Sequence, residues 1–229
     1  AGLLLPAQLG RLIRPDAMVQ LGHGRMSRCL KAEAVAFAVD ATSVVALLAG
    51  LLTWHFVPLL APLAGLTVIA TVMLLGNFVT KVLAGTRLAM PAKFWWSWQT
   101  LGIMLVQMLG WVAHGVAFFA LLQGLPGGVN LWEALFYAPA SAVLGVGTGL
   151  PGGLGATETL LGVSLKIMAI PQAHFALAVG AFRLLTFWIW IPIGWAAILL
   201  IRYRVGNPLF GVSTPPEKPA VRQVATSVE

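Results

Sequence analysis

The chain has 229 residues, of which 59% are hydrophobic and only 9% charged, a balance that excludes an ordinary soluble domain. A net charge of +7 would suggest a nucleic-acid partner in a soluble protein. Here the Lys and Arg residues fall between long apolar runs, so the excess is read as positive-inside loops against anionic headgroups, with no nucleic acid implied.

The chain starts in the apolar Leu3-Leu4-Leu5-Pro6, and residues 11–31 carry Arg11, Arg14, Arg25, Arg28 and Lys31 against one acid, Asp16, which marks a cytoplasmic segment. A first hydrophobic span follows over 32–54, with Asp40 inside it, and a second over 57–79, opened by Pro58 and Pro62. Residues 80–93 hold Lys81, Arg87 and Lys93 with no acid and should return to the cytoplasm. The third span, 94–122, has Trp95, Trp96 and Trp98 at its start, placed as an interfacial aromatic belt. The uncharged stretch 123–130 should lie on the opposite face.

An apolar run over 131–149 then meets Leu150-Pro151-Gly152-Gly153-Leu154-Gly155-Ala156-Thr157-Glu158. Pro151 removes a backbone donor, the glycines release the backbone, and Glu158 puts a carboxylate where hydrocarbon is expected. Residues 156–169 are too short to span. Parity therefore predicts a hairpin of 131–149 and 156–169 around Pro151–Gly155, re-entrant or fully spanning. The next apolar run, 171–201, is roughly 45 Å long as a helix, more than a bilayer core, so it should tilt, kink or split near Arg183 or Pro192. The expected fold class is thus all-α: a polytopic helical membrane bundle with a Pro/Gly-broken hairpin, one membrane domain over 1–204 and a disordered polar tail over 205–229, cytoplasmic in the cell (plasma or inner) membrane. The abrupt start at Ala1 suggests helices preceding it.

Irregular backbone survives in lipid only where it is buried in protein or lines a cavity, and a broken helix beside an ionisable group points to a transporter binding site. Leu5-Pro6-Ala7-Gln8-Leu9-Gly10 repeats the Leu-Pro-x-x-Leu-Gly pattern of the 150–155 break, either by chance or as a second half-helix motif. The N-termini of such half helices offer free N–H groups to an anion. Glu158 is read as a lipid-headgroup ligand, a proton relay or the partner of a cation, or as a carboxylate satisfying the N–H groups of a helix start. Arg183 is either a ligand for a lipid phosphate or a structural partner of Glu158. The two stand at nearly equal distances from Pro171, so helices folded there would bring them together. Arg14 is either a phosphate ligand or a topology residue; Asp40 is either a site residue or a hydrogen-bond partner inside the bundle. His114 reads as a polar residue packed between helices.

No nucleophile–base pair stands at useful spacing, the four histidines form no ligand cluster, and no Walker-type loop occurs, so neither catalysis nor a metal nor another cofactor is expected. Cys29, the single cysteine, excludes a disulfide framework.

In these motifs the chain resembles the lysylphosphatidylglycerol synthase transmembrane-domain family of flippase-like membrane proteins. Pro6, Gly10 and Arg14 match its Pro-x-x-x-Gly pattern followed by Arg, Pro151 to Glu158 match Pro-Gly-Gly-Leu-Gly-x-x-Glu, and Arg183-Leu184-Leu185-Thr186 matches a later Arg-Leu-x-Thr. Many members carry a Glu-Arg pair where this chain has Ala36 and Phe37, keeping only Asp40. The resemblance implies binding and translocation of an anionic lipid, whether phospholipid, aminoacyl-phospholipid or polyprenyl-linked. Arg14, Asp40, Pro151, Gly152, Gly153, Gly155, Glu158 and Arg183 form the candidate lipid site. Beyond membrane lipids with an anionic headgroup, a second copy or a lipid-synthesis enzyme is the candidate partner. The alternative is a non-transporting scaffold for a lipid-modifying enzyme.

Overall fold

The structure is a computed structural model that describes residues 25–82, 94–126 and 129–205 together with Pro15, Met18 and Val19. It is helical, with no strand among the described residues. Arg14 and the Pro6–Gly10 motif, the loop 83–93 and the tail 206–229 lie outside the described residues.

Helix α1, Met26–Phe56, is longer at both ends than the expected span. It closes where Val57 leaves the helical region and Pro58 starts a 3-10 turn, Pro58–Leu60. Helix α2, Ala61–Val82, folds back on α1. The two backbones approach closely at Gly65, where an added Cβ would stand 3.2 Å from the Ala46 carbonyl oxygen. Helix α3, Trp98–Leu122, begins at Ser97, whose hydroxyl accepts from the Thr100 N–H (3.2 Å). The aromatic residues before it do not behave alike: Trp96 and Trp98 are exposed, whereas Trp95 is buried with Val39 and Met104 and its ring fills the space beside Gly76. Trp95 is therefore a packing residue between helices and not part of a belt, because the glycine on α2 leaves a slot of indole size.

Helix α4, Leu131–Gly147, starts at Asn130, whose side-chain oxygen accepts from the Trp132 N–H (3.0 Å). Helix α5, Ala156–Ile167, runs back along it. Gly145 makes that pairing tight: the buried Thr157 hydroxyl occupies the volume a side chain at 145 would need. The expected hairpin around Pro151 is thus formed. Helix α5 closes at Ala169, which has φ +57°, with the Ile170 N–H donating to the Leu165 carbonyl (3.0 Å).

The long last run stays helical but is interrupted by a π turn just after Arg183. After a 3-10 turn, Gln172–His174, come α6, Phe175–Arg183, a π-helical turn, Leu184–Trp188, and α7, Trp190–Val205. The π turn begins at Leu184, directly after Arg183; Pro192 sits in the first turn of α7, where its missing N–H is tolerated. In the π turn the Ile189 N–H reaches the Leu184 carbonyl (3.0 Å), and the Trp190 indole N–H takes the Leu185 carbonyl (3.1 Å).

The principal core gathers Phe118 and Leu122 of α3, Ala134 and Ala138 of α4, Leu161 and Leu165 of α5 and Phe182 of α6. Outside it, large apolar side chains are exposed along most helices, including Leu63, Phe78, Leu105, Val106, Leu109 and Leu199. Among the described residues, four segments are long and apolar enough to cross a membrane: Met26–Phe56, Pro58–Val82, Trp98–Leu122 and Gln172–Ala197. An all-α bundle with these outward apolar faces is built for a bilayer.

Candidate functional site

The site is the turn of the α4–α5 hairpin and the α6 residue that grips it. The α4 helix ends in Gly147, and the Thr148 hydroxyl folds back to the Gly145 carbonyl (2.6 Å). The chain then makes a short 3-10 turn, Pro151–Gly153. Gly152 has φ +59° and Gly153 φ +67°, a region that costs an L-residue roughly 1–2 kcal/mol. Space requires glycine at both positions too. A Cβ on Gly152 would enter the Phe187 ring, and one on Gly153 would stand 2.6 Å from the Thr157 hydroxyl oxygen.

Helix α5 begins after Gly155. Glu158, in its first turn, accepts the Gly155 N–H on Oε2 (2.7 Å), which satisfies a donor the helix start would otherwise leave open. The other oxygen, Oε1, accepts from Arg183 Nε (2.6 Å). The helix-start reading of Glu158 and its pairing with a cation hold at once, because a carboxylate has one oxygen for each. Arg183 Nη2 donates to the Gly152 carbonyl (3.0 Å), so one edge of the guanidinium holds the turn at its backbone and at its carboxylate. Its face lies over the Phe187 ring, 4.5 Å from the centroid, a cation–π contact. Arg183 is 8% exposed, so this charge has left solvent almost completely, whereas the Glu158 side chain keeps 30% exposure.

Three of the predicted residues, Gly152, Glu158 and Arg183, are thus in direct contact, and Pro151, Gly153 and Gly155 shape the turn that presents them. Asp40 is not joined to them by a hydrogen bond. Its Oδ1 accepts from the Trp111 indole N–H on α3 (3.0 Å), the role of a hydrogen-bond partner inside the bundle. A run of ring contacts leads from that bond toward the site. Trp111 meets His114 edge-on (5.7 Å between centroids), and His114 meets Phe182 (4.9 Å), the residue before Arg183. His114 is thus packed between aromatic rings, as its sequence context suggested.

Sequence reasoning missed Phe187 and Trp111. Phe187 stands four residues after Arg183, the spacing of neighbours on one helix face, and that signal was there to be used. Trp111 had none, because its partner is on another helix. Among the described residues no three His, Cys, Asp or Glu side chains gather as metal ligands would. Compared with protein-family models, curated proteins and solved structures, the chain matches none.

Proposed function

We propose that the protein binds the headgroup of an anionic lipid at the hairpin turn and moves it between leaflets, without covalent chemistry. The observation that carries this reading is the state of Arg183. A charge in an apolar, membrane-length segment costs roughly 2.5–3.5 kcal/mol on insertion scales, and such residues default to a functional role. Here Nε and Nη2 are committed to the turn, and among the described residues no acceptor meets the remaining amino group. A phosphate oxygen is the acceptor such a group takes best, since Arg bonds to phosphate are charge-assisted. The N-terminus of α5 adds N–H groups with the positive end of a helix dipole beside it.

The resemblance of Pro151–Glu158 and Arg183–Thr186 to the flippase-like family supports the same substrate class. The placement of Arg25, Arg28, Lys31 and Lys81 supports a cell (plasma or inner) membrane orientation with these residues, and the tail 205–229, on the cytoplasmic face. The acyl chains would remain in the bilayer while the headgroup passes the turn.

The test is transfer of a labelled anionic phospholipid between leaflets of proteoliposomes. The intact protein should accelerate transfer, and Arg183→Gln should slow it at least tenfold while still inserting. Replacing Gly152 and Gly153 together by Leu should abolish it. Lipid binding without any transfer by the intact protein would replace this reading with that of a scaffold.

A further inference from the structure

The ion pair fixes where the hairpin ends. Arg183 lies near the middle of the membrane-length segment Gln172–Ala197, and its guanidinium is bonded to Gly152 and Glu158. The turn of the hairpin therefore lies near the middle of the bilayer. Its two arms agree with this. Helix α4 has 17 residues and α5 has 12, about 25 and 18 Å at 1.5 Å per residue, each short of a roughly 30 Å core. The hairpin enters and leaves on one face. That face is shared with the end of α1, since Trp54 stacks on Trp132 at the start of α4 (5.0 Å between centroids).

Much of the turn is left uncovered by the described residues. Gly147, Thr148, Leu150, Gly155 and Thr159 are exposed, and the backbone from Gly149 to Gly155 is not α-helical. Backbone of this kind does not face hydrocarbon, because each unpaired N–H or C=O there costs several kilocalories per mole. Beyond the turn the hairpin supplies no further helix, while α7 continues over Trp190–Val205 toward the opposite face. That opposite face carries Arg25, Arg28 and Lys31 at the start of α1 and Lys81 at the end of α2.

We propose that the exposed end of the hairpin lines a water-filled vestibule open to one face of the membrane only, the face that carries Arg25, Arg28, Lys31 and Lys81. Its occupant is the headgroup of an anionic lipid from the leaflet on that face, a clause that rests on the lipid-moving reading above. The cations at the mouth draw the headgroup in, water solvates it on the way, and the turn stops it at mid-depth beside Arg183. The arms of the hairpin separate the vestibule from the other face, so passage across requires the turn to move.

Single cysteines at Thr148 and Leu150, in a Cys29→Ser background, test this in sealed vesicles of both orientations. Lys81→Cys and Gly124→Cys report the two faces, and Leu144→Cys and Val163→Cys report lipid-facing positions on the arms. With a membrane-impermeant charged thiol reagent, positions 148 and 150 should label only from the face that labels position 81, and positions 144 and 163 from neither. Labelling of 148 and 150 from the face that labels position 124 would overturn the proposal. So would failure to label them from either face, whether or not a permeant reagent reaches them. The readout does not depend on transport. One-sided labelling without lipid transfer would leave the vestibule standing and remove the lipid, whereas transfer with labelling from the wrong face would do the reverse.

Discussion

At the scale of single residues, the decisive economy is that Glu158 serves two donors with two oxygens. Removing its charge leaves Arg183 buried at 8% exposure with a neutral neighbour. Breaking a buried pair from one side costs more than deleting both partners, because the survivor keeps its desolvation cost. Glu158 is partly exposed, so the penalty is smaller than for a fully buried pair. Glu158→Gln should lower unfolding stability in detergent or nanodiscs by about 1–3 kcal/mol. The Gln side chain retains an acceptor for the Gly155 N–H, so most of that loss belongs to the ion pair. Adding Arg183→Gln should restore part of it. A double-mutant cycle by thermal unfolding measures the coupling, and strictly additive losses would mean that the pair contributes nothing.

At the scale of elements, the hairpin and the helix that grips it are short pieces joined by special backbone. The α5 helix closes with paired bonds, Ala169 N–H to the Lys166 carbonyl (3.2 Å) and Ile170 N–H to the Leu165 carbonyl (3.0 Å), which need a left-handed residue at position 169. Alanine holds that place at a cost glycine would not incur. Ala169→Gly should therefore stabilise the protein by about 0.5–1 kcal/mol, less the extra chain entropy of glycine, with no change in lipid transfer. A loss of stability on calorimetry or thermal melting would show that the Ala169 methyl group has a packing role that outweighs its φ. The π turn after Arg183 is the other special element. Such turns are found mostly as single insertions in α-helices, frequently at functional sites, and this one holds Phe187 against both Gly152 and the guanidinium.

At the scale of the whole molecule, four membrane-length segments and the proposed half-depth hairpin account for the placement of charge. With α1, α2 and α3 each crossing, the start of α1 and the end of α2 should share one face, and the end of α3 should lie on the other. Labelling with an impermeant reagent should accordingly reach Lys81→Cys and Gly124→Cys from opposite sides in a Cys29→Ser background. Reaction of both from one side would require α3, the helix between the two positions, to fail to cross, and the hairpin would then enter from the face of Lys81.

Much of this was legible in the chain because it is written in local terms. Apolar run length marks the spans, Pro151 with its glycines marks the break, and the surplus length of 171–201 marks an irregularity near Arg183, which is the π turn. Even the Glu158–Arg183 contact could be anticipated, since two helices folded at Pro171 bring positions equally far from the fold to one depth. Other features depend on which helix faces which, and only the tertiary structure decides that. Asp40 went to Trp111 on α3 and not to the hairpin turn; Trp95 filled the slot beside Gly76 and left the surface. Phe187 came to rest on both Gly152 and Arg183 through the π turn. A sequence determines its own periodicity and its own breaks, but the partner of a side chain between helices is set by shape and depth across the bundle.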